Sequence, residues 1–548
     1  MSAEEVIVTL PNGQIRGRTE VTYSNVTFYA FDEIPYGEPP LGKLRFMVPQ
    51  PAKNWTGILD CTTNTKICRQ MNKYNSMENE DCLYLNVYTP VKPGSQSSLA
   101  VMYYIFGGGF EHGSSTFIGA GPHYFMEYGV VIVSVNYRTG PQGFLSTGDA
   151  AILGNMGLKD QLLGLKWVQQ NIHLFGGDPE KVTIFGQSAG GASVTYQILS
   201  KQSSDATETL YSARPLIIAW AMRELMHWQK KRHARDIAYQ FATRINSSFD
   251  VNQSSEQLLQ FLQSVPEEDL AAAANGFKPT GINQDESVQG FFFSPVIEVE
   301  HDEAFITENQ YTLLEKGDFN KVPLIIGICS EESIGRASNL TNFEKTVTEF
   351  EEDVTNFVNE DMHIIDENNK TLAGEEIKKI YTDGQLASNL STAVRFYSDT
   401  SFTRPIIRYA EMQSAYTDVY FYQFSYFGNM TSKEYIYLPG AGAVPHAGDW
   451  SFQWAKNNKS NINIYPTNDI LTHDRYMGFF TNFSKYLNPT PTQSSLDGQS
   501  DVWPRLTQNF FYLDIDTELS IKLNPRSESY AKWVEVYKTW GVPPFDTY

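Results

Sequence analysis

Ser188 stands in Gly186-Gln187-Ser188-Ala189-Gly190, a G-x-S-x-G pattern entered from the β-type run 181–185. A serine on a sharp strand-to-helix turn presents its hydroxyl clear of neighbouring side chains, and that turn closes only where flanking residues are as small as Gly186 and Gly190. The chemistry such a hydroxyl serves is attack on a carbonyl carbon. Alone it does this poorly: it needs a base to take its proton, an acid to orient that base, and donors where the oxyanion develops. Phe106-Gly107-Gly108-Gly109 offers the donors. No side chain obstructs the N–H groups of the triple glycine, and with the N–H of Ala189 they would form an oxyanion hole.

In this arrangement the chain order is nucleophile, acid, histidine. Gly327-Ile-Cys-Ser-Glu331-Glu332-Ser333 lies just past the apolar run 322–328, and either Glu331 or Glu332 could be the acid. His363, His446 and His473 follow. His446 is the preferred base, because the small-residue loop Gly440-Ala-Gly-Ala-Val-Pro-His446-Ala-Gly-Asp449 succeeds the β-run 420–426 and lets an imidazole reach a cleft. His363 lies in acidic, Asn-rich sequence and reads as solvated. By the same logic His112, His123, His173, His227, His233 and His301 read as structural or exposed.

Residues so far apart need a frame. The runs 99–106 and 130–136 are β-type without strict alternation, the pattern of strands buried on both faces. Residues 157–175 carry Leu158, Leu162, Leu165, Val168 and Ile172 at helical spacing and stop at Gly176-Gly177-Asp178-Pro179. A strand at 182–185 and the nucleophile come next, and further β-runs lie at 322–328 and 418–424. Strand, helix, strand, nucleophile, helix is the rhythm of a doubly wound α/β sheet with reactive residues beyond the carboxyl ends of its strands. Residues 236–302, helical over 255–264 and polar near 281–287, read as an excursion capping the sheet. No internal repeat or low-complexity tract occurs.

A chain of 548 residues forms either several domains or one large α/β domain with long excursions. Its net charge of −21 repels phosphate backbones and anionic membranes, which argues against nucleic-acid and membrane partners. No apolar run reaches eighteen residues. Met1-Ser-Ala-Glu-Glu5 is acidic where a secretory leader would be basic and then apolar, so either a leader has been removed or the protein is intracellular. Ten N-x-S/T sequons, at Asn25, Asn54, Asn246, Asn252, Asn339, Asn369, Asn389, Asn429, Asn458 and Asn482, favour removal and secretion. The four cysteines, Cys61, Cys68, Cys82 and Cys329, allow one local bridge at most in a chain with so large a core.

Taken together, these residues resemble the type-B carboxylesterase and cholinesterase family, in wording closest to insect secreted esterases. The likeness runs through Phe31-Asp-Glu-Ile-Pro-Tyr36, Leu44-Arg45-Phe46, Glu80-Asp81-Cys82-Leu-Tyr-Leu-Asn86, Gly107-Gly-Gly109, Asn136-Tyr-Arg138, Lys159-Asp160-Gln161, Phe175-Gly-Gly-Asp-Pro179, Gly186 to Gly190 and Trp503-Pro504. The resemblance implies a single α/β-hydrolase domain over residues 1–548, with a large, mostly parallel central sheet and helical excursions over the active site. It implies a Ser188, Glu332 and His446 triad, an oxyanion hole from Gly108, Gly109 and Ala189, and a Cys68–Cys82 disulfide. Structural ion pairs Arg45 with Glu80 and Arg138 with Asp160 are implied as well.

Gln187, where most members carry Glu, resembles juvenile hormone esterases and some pheromone-degrading esterases. It removes a negative charge beside the nucleophile, which suits a neutral ester better than a cationic one. The segment 69–81 holds no tryptophan, so the cation–π platform of cholinesterases is missing and choline esters are disfavoured. Three departures leave the catalytic atoms in place: Phe106 for His or Tyr, Ser333 for Gly, and Ala443 for Gly. Residues 203–230 depart further from the family pattern, although 215–220 could still supply a strand. The expected protein is a secreted serine carboxylesterase acting on small, lipophilic, uncharged esters, as a monomer or homodimer, with no metal or organic cofactor required. The rival is a catalytically silent relative serving extracellular ligand sequestration or adhesion, and an interfacial lipase is a weaker third because no amphipathic surface helix stands out.

Overall fold

The computed structural model describes residues 5–71, 76–117, 119–205, 216–220, 231–280, 291–431, 435–455, 461–491 and 502–543. Its thirteen strands are β1 (Val6–Leu10), β2 (Gly13–Val21), β3 (Thr27–Pro35), β4 (Ile58–Asp60), β5 (Tyr84–Thr89), β6 (Leu99–Ile105), β7 (Val131–Val135), β8 (Gly177–Gly186), β9 (Leu216–Trp220), β10 (Leu324–Cys329), β11 (Val419–Phe424), β12 (Phe511–Ile515) and β13 (Leu519–Leu523). They form one sheet in the order β1-β2-β3-β5-β7-β6-β8-β9-β10-β11-β12-β13, with β4 beside β2. From β7 through β12 every neighbouring pair is parallel; the β1-β2-β3-β5-β7 flank and the β12-β13 edge are antiparallel. The sheet is therefore mixed, parallel at its centre, and the parallel strands are the ones that read as unbroken apolar runs. β7 and β10 are buried along their whole length, as strands covered by helices on both faces must be.

The crossover from β7 to β8 carries the helix Met156–Asn171, which tightens into a 3₁₀ turn at Ile172–Phe175. Gly176 then takes φ +80°, and β8 begins at Gly177, five residues before the strand expected at 182, because Gly177 already pairs with Leu99. β9 supplies the strand anticipated at 215–220 and fits between β8 and β10 in register with both. The rest of the divergent segment, 206–215 and 221–230, lies outside the described residues, as does the polar loop 281–287.

The excursion consists of helices Lys231–Ile245, Ser255–Ser264 and Glu267–Ala274. Its return path is tied down by Glu298, which is buried. Lys159 Nζ lies 2.6 Å from one Glu298 oxygen, while Asn155 Nδ2 donates to the other at 2.7 Å. Farther along, helices Leu340–Glu351, Glu367–Tyr381, Leu390–Ser398 and Ser527–Trp540 pack around Phe396, Tyr397 and Trp533 in a second core. Between Leu390–Ser398 and Arg404–Ser414 the backbone forms one π-helical turn, Asp399–Thr403.

Cys68 and Cys82 are bonded, with Cα atoms 4.9 Å apart. Cys61 and Cys329 are buried thiols, and burial raises the pKa of each. Asn25, Asn54, Asn246, Asn252, Asn339, Asn369, Asn389 and Asn429 are exposed, whereas Asn482 is half-buried on the helix Thr467–Tyr486, its amide 3.4 Å from the Pro489 carbonyl. Asn458 lies outside the described residues. No helix among the described residues is long and apolar enough to cross a membrane.

Candidate active site

β6 and β8 are parallel and in register, Ile105 opposite Gly186, so the glycine run and the serine turn emerge side by side. Ser188 has φ +59° and ψ −130°, a backbone region costly for any residue with a Cβ, and it opens the helix Ala189–Leu199. Small neighbours make this conformation possible. A Cβ on Gly190 would fall 2.0 Å from the Ile105 carbonyl oxygen, and one on Gly186 would fall 2.4 Å from the Gly190 carbonyl carbon. Gly107 packs against the same turn, since its Cβ would lie 2.3 Å from the Gln187 carbonyl oxygen and 2.7 Å from Ser188 Cβ.

Three chain segments meet at these strand ends. His446 Nε2 stands 2.9 Å from Ser188 Oγ, and Nδ1 stands 2.7 Å from Glu332 Oε2. A carboxylate only accepts, so Nδ1 carries the proton and Nε2 keeps a lone pair for the serine hydroxyl. The other oxygen of buried Glu332 accepts the Cys329 N–H at 2.6 Å. The loop bearing the imidazole is fastened to the acid loop by the main chain: His446 N–H donates to the Glu332 carbonyl at 3.0 Å, and Glu331 N–H to Val444. Gln187 Nε2 lies 3.1 Å from His446 Nε2, so the neutral amide that replaces the usual carboxylate touches the imidazole directly.

Glu331 faces the other way. Its buried carboxylate takes Arg395 (Nη2 at 2.6 Å) and the Gly442 N–H at 3.0 Å, with Arg526 at 3.6 Å. Burial alone would raise its pKa, but Arg526, Arg395 and the Gly442 amide hold it below the ordinary glutamate value. The two glutamates left open by chain order are thus distinguished by orientation. His473 is fully buried and donates from Nδ1 to the Phe452 carbonyl at 2.7 Å, away from the site.

Gly108 and Gly109 take φ +117° and +66°. A Cβ on Gly108 would meet the His112 carbonyl oxygen at 2.1 Å, and one on Gly109 the Phe291 ring at 2.6 Å. Among the described residues no protein acceptor takes the N–H of Gly108, Gly109 or Ala189. For Ala189 this follows from its place in the first helical turn, where N–H groups have no partner within the helix.

Ser188, His446 and Glu332 open on a cavity of about 430 Å³ whose walls include Gly108, Gly109, Phe291, Phe402, Ser333 and Arg336. Phe402 comes from the π-helical turn, and its ring lies 4.6 Å from the His446 ring at 33°. His112 is exposed, as expected, and also lines the cavity. Phe402, Phe291 and Arg336 carried no sequence signal, apart from the spacing of Arg336 four residues after Glu332. A π turn of five residues leaves no period to read.

The ion pairs lie at the base of these loops. Arg138 holds Asp160 by Nε at 2.8 Å and Nη2 at 2.7 Å, while Arg45 reaches Glu80 at 2.6 Å and the Val265 carbonyl at 2.6 Å. Glu80 also accepts from Gln142. Among the described residues no group of three or more His, Cys, Asp or Glu is arranged to hold a metal.

A profile of the carboxylesterase family matches residues 4–533. Venom carboxylesterase-6 of Apis mellifera is 29% identical over 97% of this chain and 93% of its own, and juvenile hormone esterase of Tribolium castaneum is 31% identical over 88% and 84%. The crystal structure of juvenile hormone esterase from Manduca sexta, with OTFP covalently attached, superposes with a TM-score of 0.83 at 26% identity, over 98% of this chain and 100% of that one. The mixed sheet and its flanking helices are thus an α/β-hydrolase fold. This chain belongs to the carboxylesterase family and is a carboxylic ester hydrolase.

Proposed function

We propose that the protein is a secreted serine carboxylesterase that hydrolyses lipophilic, uncharged esters through an acyl-enzyme, working as one α/β-hydrolase domain. The observation that carries this is the continuous Glu332, His446, Ser188 hydrogen-bond chain at the floor of a cavity walled by Phe291, Phe402 and bare glycine backbone. His446 Nε2 takes the Ser188 proton as Oγ attacks the ester carbonyl carbon, and Glu332 stabilises the resulting imidazolium. The carbonyl oxygen becomes an oxyanion facing the unpartnered N–H groups of Gly108, Gly109 and Ala189. Collapse of this intermediate breaks the bond to the alkoxy oxygen, which leaves as the alcohol with the proton from His446. Water then repeats the attack on the acyl-enzyme, releasing the acid and restoring Ser188.

The eight exposed sequons and the family likeness to a venom esterase support secretion as a glycoprotein. The Manduca sexta neighbour, solved with OTFP covalently attached, supports a covalent route. Replacing Ser188 with Ala tests the reading. Turnover of p-nitrophenyl butyrate and labelling by a fluorophosphonate should both disappear. A folded Ser188→Ala protein that still turns over the ester would overturn it, and unlabelled, inactive wild type would favour the silent alternative.

A further inference from the structure

Arg336 is out of keeping with the other arginines around the site. Arg45, Arg138, Arg395 and Arg526 each face a carboxylate. Arg336 instead lays its guanidinium 4.4 Å over the Tyr397 ring, and among the described residues its side chain makes no hydrogen bond or ion pair. The chain has 63 acidic residues against 42 basic ones, so carboxylates are in excess over the cations that could pair with them. Arg336 lines the same cavity as Ser188 and His446, beside the hydroxyl-bearing Ser333 and Ser401. Among the described lining residues the one carboxylate, Glu332, has its oxygens engaged by His446 and the Cys329 amide. Among the described lining residues the cavity therefore combines an apolar wall with a guanidinium that has no hydrogen-bond or ion-pair partner of its own.

We propose that Arg336 makes the site competent for a second substrate class, esters whose acyl chain carries a carboxylate, with the guanidinium receiving that carboxylate while Ser188 attacks the ester. This rests on the Ser188 reading above. The planar guanidinium fork matches carboxylate geometry and pairs most strongly where water is partly excluded. The overall charge of −21 opposes the approach of an anion. That field is screened over about 10 Å in salt, whereas a direct hydrogen-bonded contact with the guanidinium acts at short range.

The test compares kcat/KM for mono-p-nitrophenyl adipate and the neutral p-nitrophenyl heptanoate in wild type, Arg336→Met and Arg336→Lys. The adipate-to-heptanoate ratio should fall roughly tenfold or more in Arg336→Met, chiefly through the KM for adipate, and recover in part in Arg336→Lys. A ratio unchanged by Arg336→Met overturns the proposal, and Arg336→Gln gives the same reading if Arg336→Met does not fold. Heptanoate turnover separates the two readings. If heptanoate is hydrolysed but the ratio does not respond, only the role of Arg336 falls; if wild type hydrolyses neither ester, the Ser188 reading and this one fall together.

Discussion

Glu331 and Glu332 are adjacent and chemically identical, and the fold gives them opposite tasks. Glu332 meets His446 Nδ1 at 2.7 Å, whereas Glu331 neutralises Arg395 and Arg526 on the other side of the loop. Glu332→Gln should cost about 10³- to 10⁴-fold in kcat through loss of the correct imidazole tautomer, with little change in unfolding midpoint. Glu331→Gln should do the reverse, because it leaves two arginines facing a neutral amide. A stability loss on the order of 3 kcal/mol is expected, with kcat far less affected, since Arg395 is only partly buried. Steady-state kinetics beside thermal melts of both variants check this, and the opposite pattern would exchange the two roles. The pair could not be separated in the sequence because the difference lies in which way each side chain turns after β10.

The working parts at the scale of elements are the turns that leave β6, β8, β10 and β11. Parallel pairing in register brings four separate loops to one edge, and the glycines set how closely they approach. Gly108 is the most constrained of the donors, with φ +117° and a backbone oxygen 2.1 Å from where its Cβ would be. Gly108→Ala should therefore displace an oxyanion donor and lower kcat by about 10²- to 10³-fold. Active-site titration with a fluorophosphonate would establish that Ser188 still reacts, and undiminished kcat would remove Gly108 from the oxyanion hole. The central strands were legible as unbroken apolar runs, and β9 was recovered from a short apolar stretch inside an atypical segment. The early start of β8 was not legible, because it comes from Gly177 pairing with Leu99 of β6 against the turn preference of Gly-Asp-Pro.

Across the whole molecule, acidity also sets how stability varies with pH. Asp449, three residues past His446, is fully buried, and its Oδ2 accepts the Tyr476 hydroxyl at 2.6 Å. Burial, reinforced by the nearby charge of Glu332, raises its pKa to about 6 against an ordinary 3.8. The raised value means the folded state prefers the protonated carboxyl. Its stabilising contribution is therefore present below about pH 3.8 and lost as pH rises through about 6, a swing on the order of 3 kcal/mol. Asp449→Asn should thus gain on wild type in unfolding midpoint between pH 4 and pH 7, as read by thermal melts across that range. A gap between the two proteins that does not vary with pH would show that the carboxyl does not titrate there.

The reactive serine, the glycine run opposite it and the sheet that carries them were legible in the residues alone, because each rests on a local requirement: a turn too tight for a Cβ, or a strand apolar on both faces. His446 was legible for a related reason, lying in a loop of small residues after a strand. Assigning the acid within the Glu331-Glu332 pair, placing Phe402 against the imidazole and leaving Arg336 unpaired in the cavity depended on packing between segments about 44 to 260 residues apart in the chain. Those contacts arise from helices docking on the sheet and from a single π-helical turn, and neither leaves a periodic pattern in the sequence.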